Sequence, residues 1–314
     1  MTREQMRSFY KMLVVLCLLV TICCPAIAQA GLKGHWSPGL IGIRACTVPQ
    51  HPGLAYKLLL HYQEGNSLRE DSGKRALGKD HFKAQTLAAS HRFLWTPDVE
   101  KIPFLGAQYN FQLIVPMIST GMEVNGSSSH AAGIGDIYIS PVLLSWDVGN
   151  WQWIWSVGLM APTGYYDKDN SASIGKGFWS PMMTAGVTWW LDEARTWSFS
   201  GIARYEKHTR TPDKDLWQGD DFSFEWGLGK MLDENWEIGL VGFSSFQVTP
   251  DRGDDSRDAL GRKYGFDAAH GIGVELGYMD RERGIAISIS PKKEFAVYGR
   301  PEGWMVTTSF SFAF

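Results

Sequence analysis

The sequence predicts an all-β protein: a transmembrane, antiparallel, up-and-down β-barrel of about 12 strands. Three observations predict it. Segments in which every second residue is apolar or aromatic recur along the chain, and the connections between them alternate between long and short. Beyond the first thirty residues no stretch is apolar enough and long enough for a transmembrane helix. The chain also ends on such a segment, Gly303 to Phe314 (GWMVTTSFSFAF), with Trp304, Val306, Thr308, Phe310, Phe312 and Phe314 on one face and mostly small or polar residues on the other.

The N-terminus indicates export. Arg3, Arg7 and Lys11 precede an apolar run from Met12 to Cys24, Pro25 breaks it, and Ala26-Ile27-Ala28 or Ala28-Gln29-Ala30 supplies small residues for cleavage. Residues 1–30 therefore read as a cleaved signal peptide. Cys17, Cys23 and Cys24 would leave with it, so Cys46 alone remains and neither a disulfide framework nor a cysteine metal site is expected. Residues 31–53 show no clear period and are punctuated by Pro38, Gly39, Pro49, Pro52 and Gly53. They read as a periplasmic lead-in or a short plug, with the barrel over 54–314. A formal net charge of -3 offers nothing to a nucleic acid. The 44% hydrophobic content would suit a soluble β-sandwich equally, so composition does not decide the fold.

The segments justify themselves in order through what they would show to lipid. In 54–63, Tyr56, Leu58, Leu60 and Tyr62 share one face and Lys57 and His61 the other. Segment 82–95 is less clean, because His91 and Arg92 fall on opposite faces. In 104–115, Tyr109, Phe111, Leu113 and Val115 oppose Asn110 and Gln112. In 134–146, Ile137, Ile139 and Leu143 oppose Asp136. Segments 151–160 and 179–191 turn Trp151, Trp153, Trp155, Val187 and Trp189 outward. In 196–206, Trp197, Phe199 and Tyr205 oppose Arg204 and Glu206. Segment 221–231 sets Phe222, Phe224, Trp226 and Leu228 against Glu225, with Lys230 beside a turn. Segment 235–248 sets Trp236, Ile238 and Leu240 against Glu237, but Val241 and Phe243 then point inward and require a bulge or a partly apolar lumen. Segment 270–279 carries Glu275 on its inner face, 284–290 turns Ile285, Ile287 and Ile289 outward, and 303–314 completes the set. A charge facing mid-bilayer costs about 2–4 kcal/mol, which accounts for the sorting.

Long connections such as 64–81, 116–133, 161–178, 249–269 and 291–302 are polar, whereas Asp147 to Asn150 and Asp192 to Arg195 are tight turns. Long external loops and short periplasmic turns are the pattern of outer-membrane barrels. Trp95, Trp146, Trp151, Trp189, Trp190, Trp197 and Trp236 gather near the short turns, as an aromatic girdle would. Lys57, His61, Asp136, Arg204, Glu206, Glu225, Glu237 and Glu275 are the candidate lumen-lining residues. No catalytic, metal or cofactor motif stands out: Gly133-Ile134-Gly135-Asp136 leads into a strand, the eight histidines are scattered, and no HExxH or GxSxG is present.

The final strand resembles the closing strand of bacterial outer-membrane barrels, where alternating aromatics ending on Phe serve as an assembly signal; Phe310, Phe312 and Phe314 would fill that role for the barrel-assembly machinery. HWSPGLIGI, VPQHPGLAYKLLLHYQEG, GIGDIYISPVLLSW, GLMAPTGYYD, GKGFWSPMMTAGVTWW and the terminal SFAF together resemble the family named after the meta-pathway of phenol degradation. The resemblance implies an outer-membrane β-barrel of Gram-negative cells, surrounded by lipid and lipopolysaccharide. It also implies passage of small hydrophobic or aromatic ligands, as in FadL-type channels, with no cofactor and no enzymatic activity. The alternatives are a lipid hydrolase on the same scaffold and a structural or adhesive barrel with a closed lumen. A Ser–His pair at the bilayer edge would favour the first.

Overall fold

A computed structural model describes residues 34–314 other than 79–80, 100, 103–104, 169, 171, 213 and 257–265. The expected signal peptide lies outside the described residues. Every strand pairs antiparallel with its neighbours, and β1 (Gly53–Leu68) pairs with both β2 (Phe82–Thr96) and β13 (Pro301–Ala313), which closes the sheet. The seam places Tyr56 opposite Phe312 and Leu58 opposite Phe310. Among the described residues no helix is long and apolar enough to cross a membrane.

The wall has twelve positions and one extra strand. β3 (Gln108–Val124) pairs with β5 (Ile137–Val148) along its first half and with β4 (Ser127–Ile134) along its second. β4 and β5 thus continue one wall strand, interrupted at Gly135-Asp136. The expected loop 116–133 is therefore mostly strand, reversed at Asn125 and Gly126, both at positive φ (51° and 82°). The expected loop 291–302 is likewise absorbed, since β12 runs Ile285–Tyr298. These extensions lack a continuous greasy face, so the alternation that marks a membrane strand is weak in them.

The remaining wall strands are β6 (Trp151–Ala161), β7 (Ser180–Trp190), β8 (Trp197–Glu206), β9 (Asp221–Met231), β10 (Trp236–Gln247) and β11 (Ala268–Asp280). Their apolar phase faces outward: Trp153, Leu240 and Val274 are each nearly half exposed, while Glu225 between Phe224 and Trp226 has no exposed surface. Leu143 breaks the expected phase. The register shifts between Ile139 and Val142, so Leu143 turns inward against Cys46 and Val48. A bulge inserts one residue, and with a side-chain period of two it exchanges the faces. β10 has no such shift, and Val241 and Phe243 do point inward, where Phe243 packs with Ala269, Val297 and Met305. In β2, outward-facing His91 meets the Tyr56 hydroxyl at 2.8 Å, and inward-facing Arg92 donates to Gln112 at 2.7 Å.

Residues 34–52 lie inside the barrel. His35 sits near the ends of β7 and β8 that carry long connections, Cys46 and Thr47 reach Thr188 and Gln152 near the short turns, and the chain then enters β1. Glycines make the room. A Cβ on Gly229 would stand 2.4 Å from Ile43, and one on Gly186 would stand 2.5 Å from the Cys46 sulfur.

Candidate functional site: the luminal segment and its walls

A chain threading a barrel without forming a strand must still satisfy its amides. Carboxylates on β8 to β11 do this. Glu206 accepts the His35 and Trp36 amides at 2.8 and 3.1 Å. Glu225 accepts Gly39 and Ile41 through one oxygen (2.8 and 2.9 Å), and Trp36 Nε1 and the Arg204 guanidinium through the other (2.9 and 2.6 Å). Arg204 also lies 3.9 Å above the Trp36 ring. Glu275 accepts the Ile43 amide at 3.2 Å, and Glu237 pairs with Arg44 at 3.0 Å. Hydrogen bonds to a charged group contribute about 1.5–3 kcal/mol each, so this grip is strong for a segment without secondary structure.

The opposite wall is mainly apolar in its outer half. A cavity of about 140 Å³ lies between Trp36 and Leu40 of the segment and Leu59, Ile114, Tyr138 and Met160 of β1, β3, β5 and β6. Ile118 and Ile174 extend its apolar lining, and His61, Gln63, Thr86, Ser90, Asp136 and Lys176 add polar groups to it. Ile114, Tyr138, Met160 and Met182 form one buried cluster against Trp36. Towards the short-turn end, Lys57, Arg92 and Glu275 line a smaller polar space of about 60 Å³.

A third group surrounds His35. Its Nδ1 lies 2.8 Å from Ser180 Oγ and 3.2 Å from Glu206 Oε1, and its Nε2 lies 3.0 Å from Asp136. His208 mirrors it, with Nδ1 2.7 Å from the same Ser180 oxygen and Nε2 2.9 Å from Asp221. Phe178 covers both rings edge-on at 4.8 and 5.1 Å. Asp136, at the break between β4 and β5, also accepts the Gly164 and Lys176 amides, so it ties the interrupted strand to the loop beyond β6. Ser180, His208 and Asp221 are the residue types of a hydrolase triad. Ser180, however, has no exposed surface and lies between two imidazoles inside the lumen, not at the lipid-facing edge.

Of the residues singled out as lumen-lining, His61, Asp136, Arg204, Glu206, Glu225, Glu237 and Glu275 are buried on the inner side, and Lys57 is half-buried there. All five acidic ones bind the luminal segment, Asp136 through the His35 ring, and His61 bonds Thr307 at 3.0 Å. Near the short turns, Trp95, Trp151, Trp189, Trp197 and Trp236 are exposed, Trp151 stacks on Trp189 at 4.9 Å, and Trp146 is half-buried with its Nε1 bonded to the Leu105 carbonyl. Trp190 does not belong with them. It follows Trp189 on the same strand, so it must face the other way, and it lies buried beneath the Arg44 guanidinium at 4.7 Å. Phe310 and Phe312 pack outward against Tyr56 and Leu58, while Phe314 is exposed and its amide donates to Leu54. Reasoning from the sequence missed His35, Trp36, Ser180, His208 and Asp221. Their contacts span chain separations such as 171 and 189 residues and follow no local spacing.

A closed sheet with a hydrocarbon-compatible exterior and a polar, segment-filled interior is the fold of an outer-membrane β-barrel. The family model described as "Putative MetA-pathway of phenol degradation" matches residues 65–310, and the chain belongs to that family. Among solved structures, the COG4313 outer membrane channel from Pseudomonas putida F1 is similar with a TM-score of 0.73 at 14% identity, over 89% of this chain and all (100%) of that one. The β domain of the Bordetella autotransporter BrkA gives a TM-score of 0.48 at 8% identity, over 84% of this chain and 100% of that one. A Pseudomonas aeruginosa FadL homologue gives 0.41 at 8%, over 92% and 97%. No curated protein matches this chain.

Proposed function

We propose that the protein is a passive channel carrying small hydrophobic compounds, aromatic ones included, across the outer membrane. The observation that carries this reading is the apolar cavity between the luminal segment and the β1–β6 wall. A polar barrel interior has no use for a mostly apolar hollow, and an apolar cavity of about 150 Å³ is large enough to hold benzene. The segment is held by hydrogen bonds and ion pairs, which can exchange for others as a ligand moves past. No nucleotide-binding motif is present, and flow down a gradient requires none. The buried position of Ser180 supports a non-enzymatic role, because a substrate carbonyl would have no approach to it. Export by a cleaved signal peptide and assembly through the terminal Phe310, Phe312 and Phe314 belong to the same reading.

The test is uptake by liposomes containing the purified barrel, with toluene-like and sugar-like solutes compared. Faster entry of the aromatic solute is expected. Equal rates with and without protein, together with no conductance, would sink the proposal.

A further inference from the structure

The His35 cluster gathers two imidazole Nδ1 atoms and a carboxylate oxygen around one serine hydroxyl. Asp136 and Asp221 face the Nε2 atoms of His35 and His208, the contacts that a proton on each Nε2 would make, while Glu206 faces the His35 Nδ1 as well. In the neutral ring this leaves a lone pair on each Nδ1. Both Nδ1 atoms point at the same place, together with Glu206 Oε1. Ser180 brings one proton to that point and can satisfy one acceptor with it. The three ligand atoms lie within 4.8 Å of one another, with separations of 3.2 Å for His35 and 3.8 Å for His208 from Glu206. Tetrahedral ligands bonded to zinc at about 2.0–2.1 Å stand about 3.3 Å apart, so small side-chain movements would close the shell.

The surroundings suit a cation. Each imidazole is oriented by a carboxylate on its far nitrogen, the arrangement that fixes the tautomer and raises the basicity of a ligating histidine. Phe178 excludes water from one side. Two nitrogens and one carboxylate suit a borderline cation such as Zn²⁺, and they suit Ca²⁺ or Mg²⁺ poorly, since those prefer all-oxygen shells.

We propose that His35, His208 and Glu206, with Ser180 Oγ in reach as a fourth ligand, form a Zn²⁺-class site that staples the luminal segment to the barrel wall. His35 lies on the segment, Glu206 ends β8, and His208 follows it, so a bound cation joins two elements otherwise linked here only by hydrogen bonds. The site stands apart from the transport reading, and its test reads binding, not flux.

The experiment titrates Co²⁺ into the untagged, chelator-stripped chain in detergent and follows visible absorption, then displaces Co²⁺ with Zn²⁺. One Co²⁺ per chain is expected, released by one equivalent of Zn²⁺. His35→Gln should weaken binding at least about 100-fold while leaving the barrel folded, because it alters only the luminal segment; His208→Gln should match it. Asp136→Asn and Asp221→Asn should each weaken binding by about 10–100-fold, as outer-shell partners do. Ser180→Ala should retain the cation, whereas a hydrogen-bonded bridge alone would be lost. The proposal is overturned if the native chain takes up no Co²⁺, or if the His35→Gln chain binds it as tightly as the native one.

Discussion

The two sides of the lumen treat the same segment in opposite ways. The β8–β11 wall meets it with carboxylates, each aimed at a backbone amide or an arginine. The outer half of the β1–β6 wall meets it with Leu59, Ile114, Tyr138 and Met160 and leaves a cavity. One wall holds and the other yields space. A plug intended only to seal the barrel would be packed on both sides, since interiors reach crystal-like density when nothing else is required of them.

The comparison breaks most severely at Glu225. Removing it strands Arg204, the Trp36 indole and the Gly39 and Ile41 amides together. Glu225→Ala should cost about 3–5 kcal/mol, the range for a buried ion pair that loses one partner. It should also speed maleimide labelling of buried Cys46 more than tenfold, as the segment leaves the wall. Unchanged labelling would show that the carboxylates do not hold the segment. A lipid-facing control on the same sheet is Leu240→Lys, expected to cost about 2–4 kcal/mol in a urea-unfolding measurement in bilayers, with Cys46 labelling unaffected.

On the yielding side, Ala88→Phe places a ring in the cavity. Aromatic uptake should fall several-fold while ion conductance and Cys46 labelling stay near native; equal loss of both would mean the cavity is not a separate route. Arg44→Gln is milder, because Glu237 loses its ion-pair partner but glutamine keeps an amide donor near it, and about 1–3 kcal/mol is expected.

The smallest effect concerns the short turns. Thr196 and Trp197 donate to Asp192, and the Trp236 and Asn235 amides donate to Asp233, holding both carboxyls below their ordinary value of 3.8. A lowered folded value stabilises fully above the unfolded one, and the contribution disappears as the pH falls through the folded value. Asp192→Asn should therefore remove part of the acid sensitivity below about pH 4, read as a flatter unfolding midpoint against pH. An unaltered acid profile would count against these turn bonds.

Most of the wall was legible in the sequence. The alternation at 221–231 is strict enough to give β9 its observed bounds, and the outward phase of Tyr56, Leu58 and Leu60 follows from the lipid penalty alone. Legibility failed where a local rule was suspended. The bulge before Leu143 reversed the faces without any composition signal, and β3, β4 and β12 extend through stretches where neither face is continuously apolar. Trp190 shares the girdle's nearness to a short turn, but its parity with Trp189 turns it into the lumen.

By itself, then, the sequence determined the sheet, its two faces and the alternation of its connections, because a strand's side-chain period is set by the backbone and the membrane penalises each error separately. The tertiary structure alone decided that five inward carboxylates close on one luminal segment, that an apolar hollow lies behind it, and that two histidines share one serine. Those meetings join residues far apart in the chain, and only closing the barrel brings them within reach.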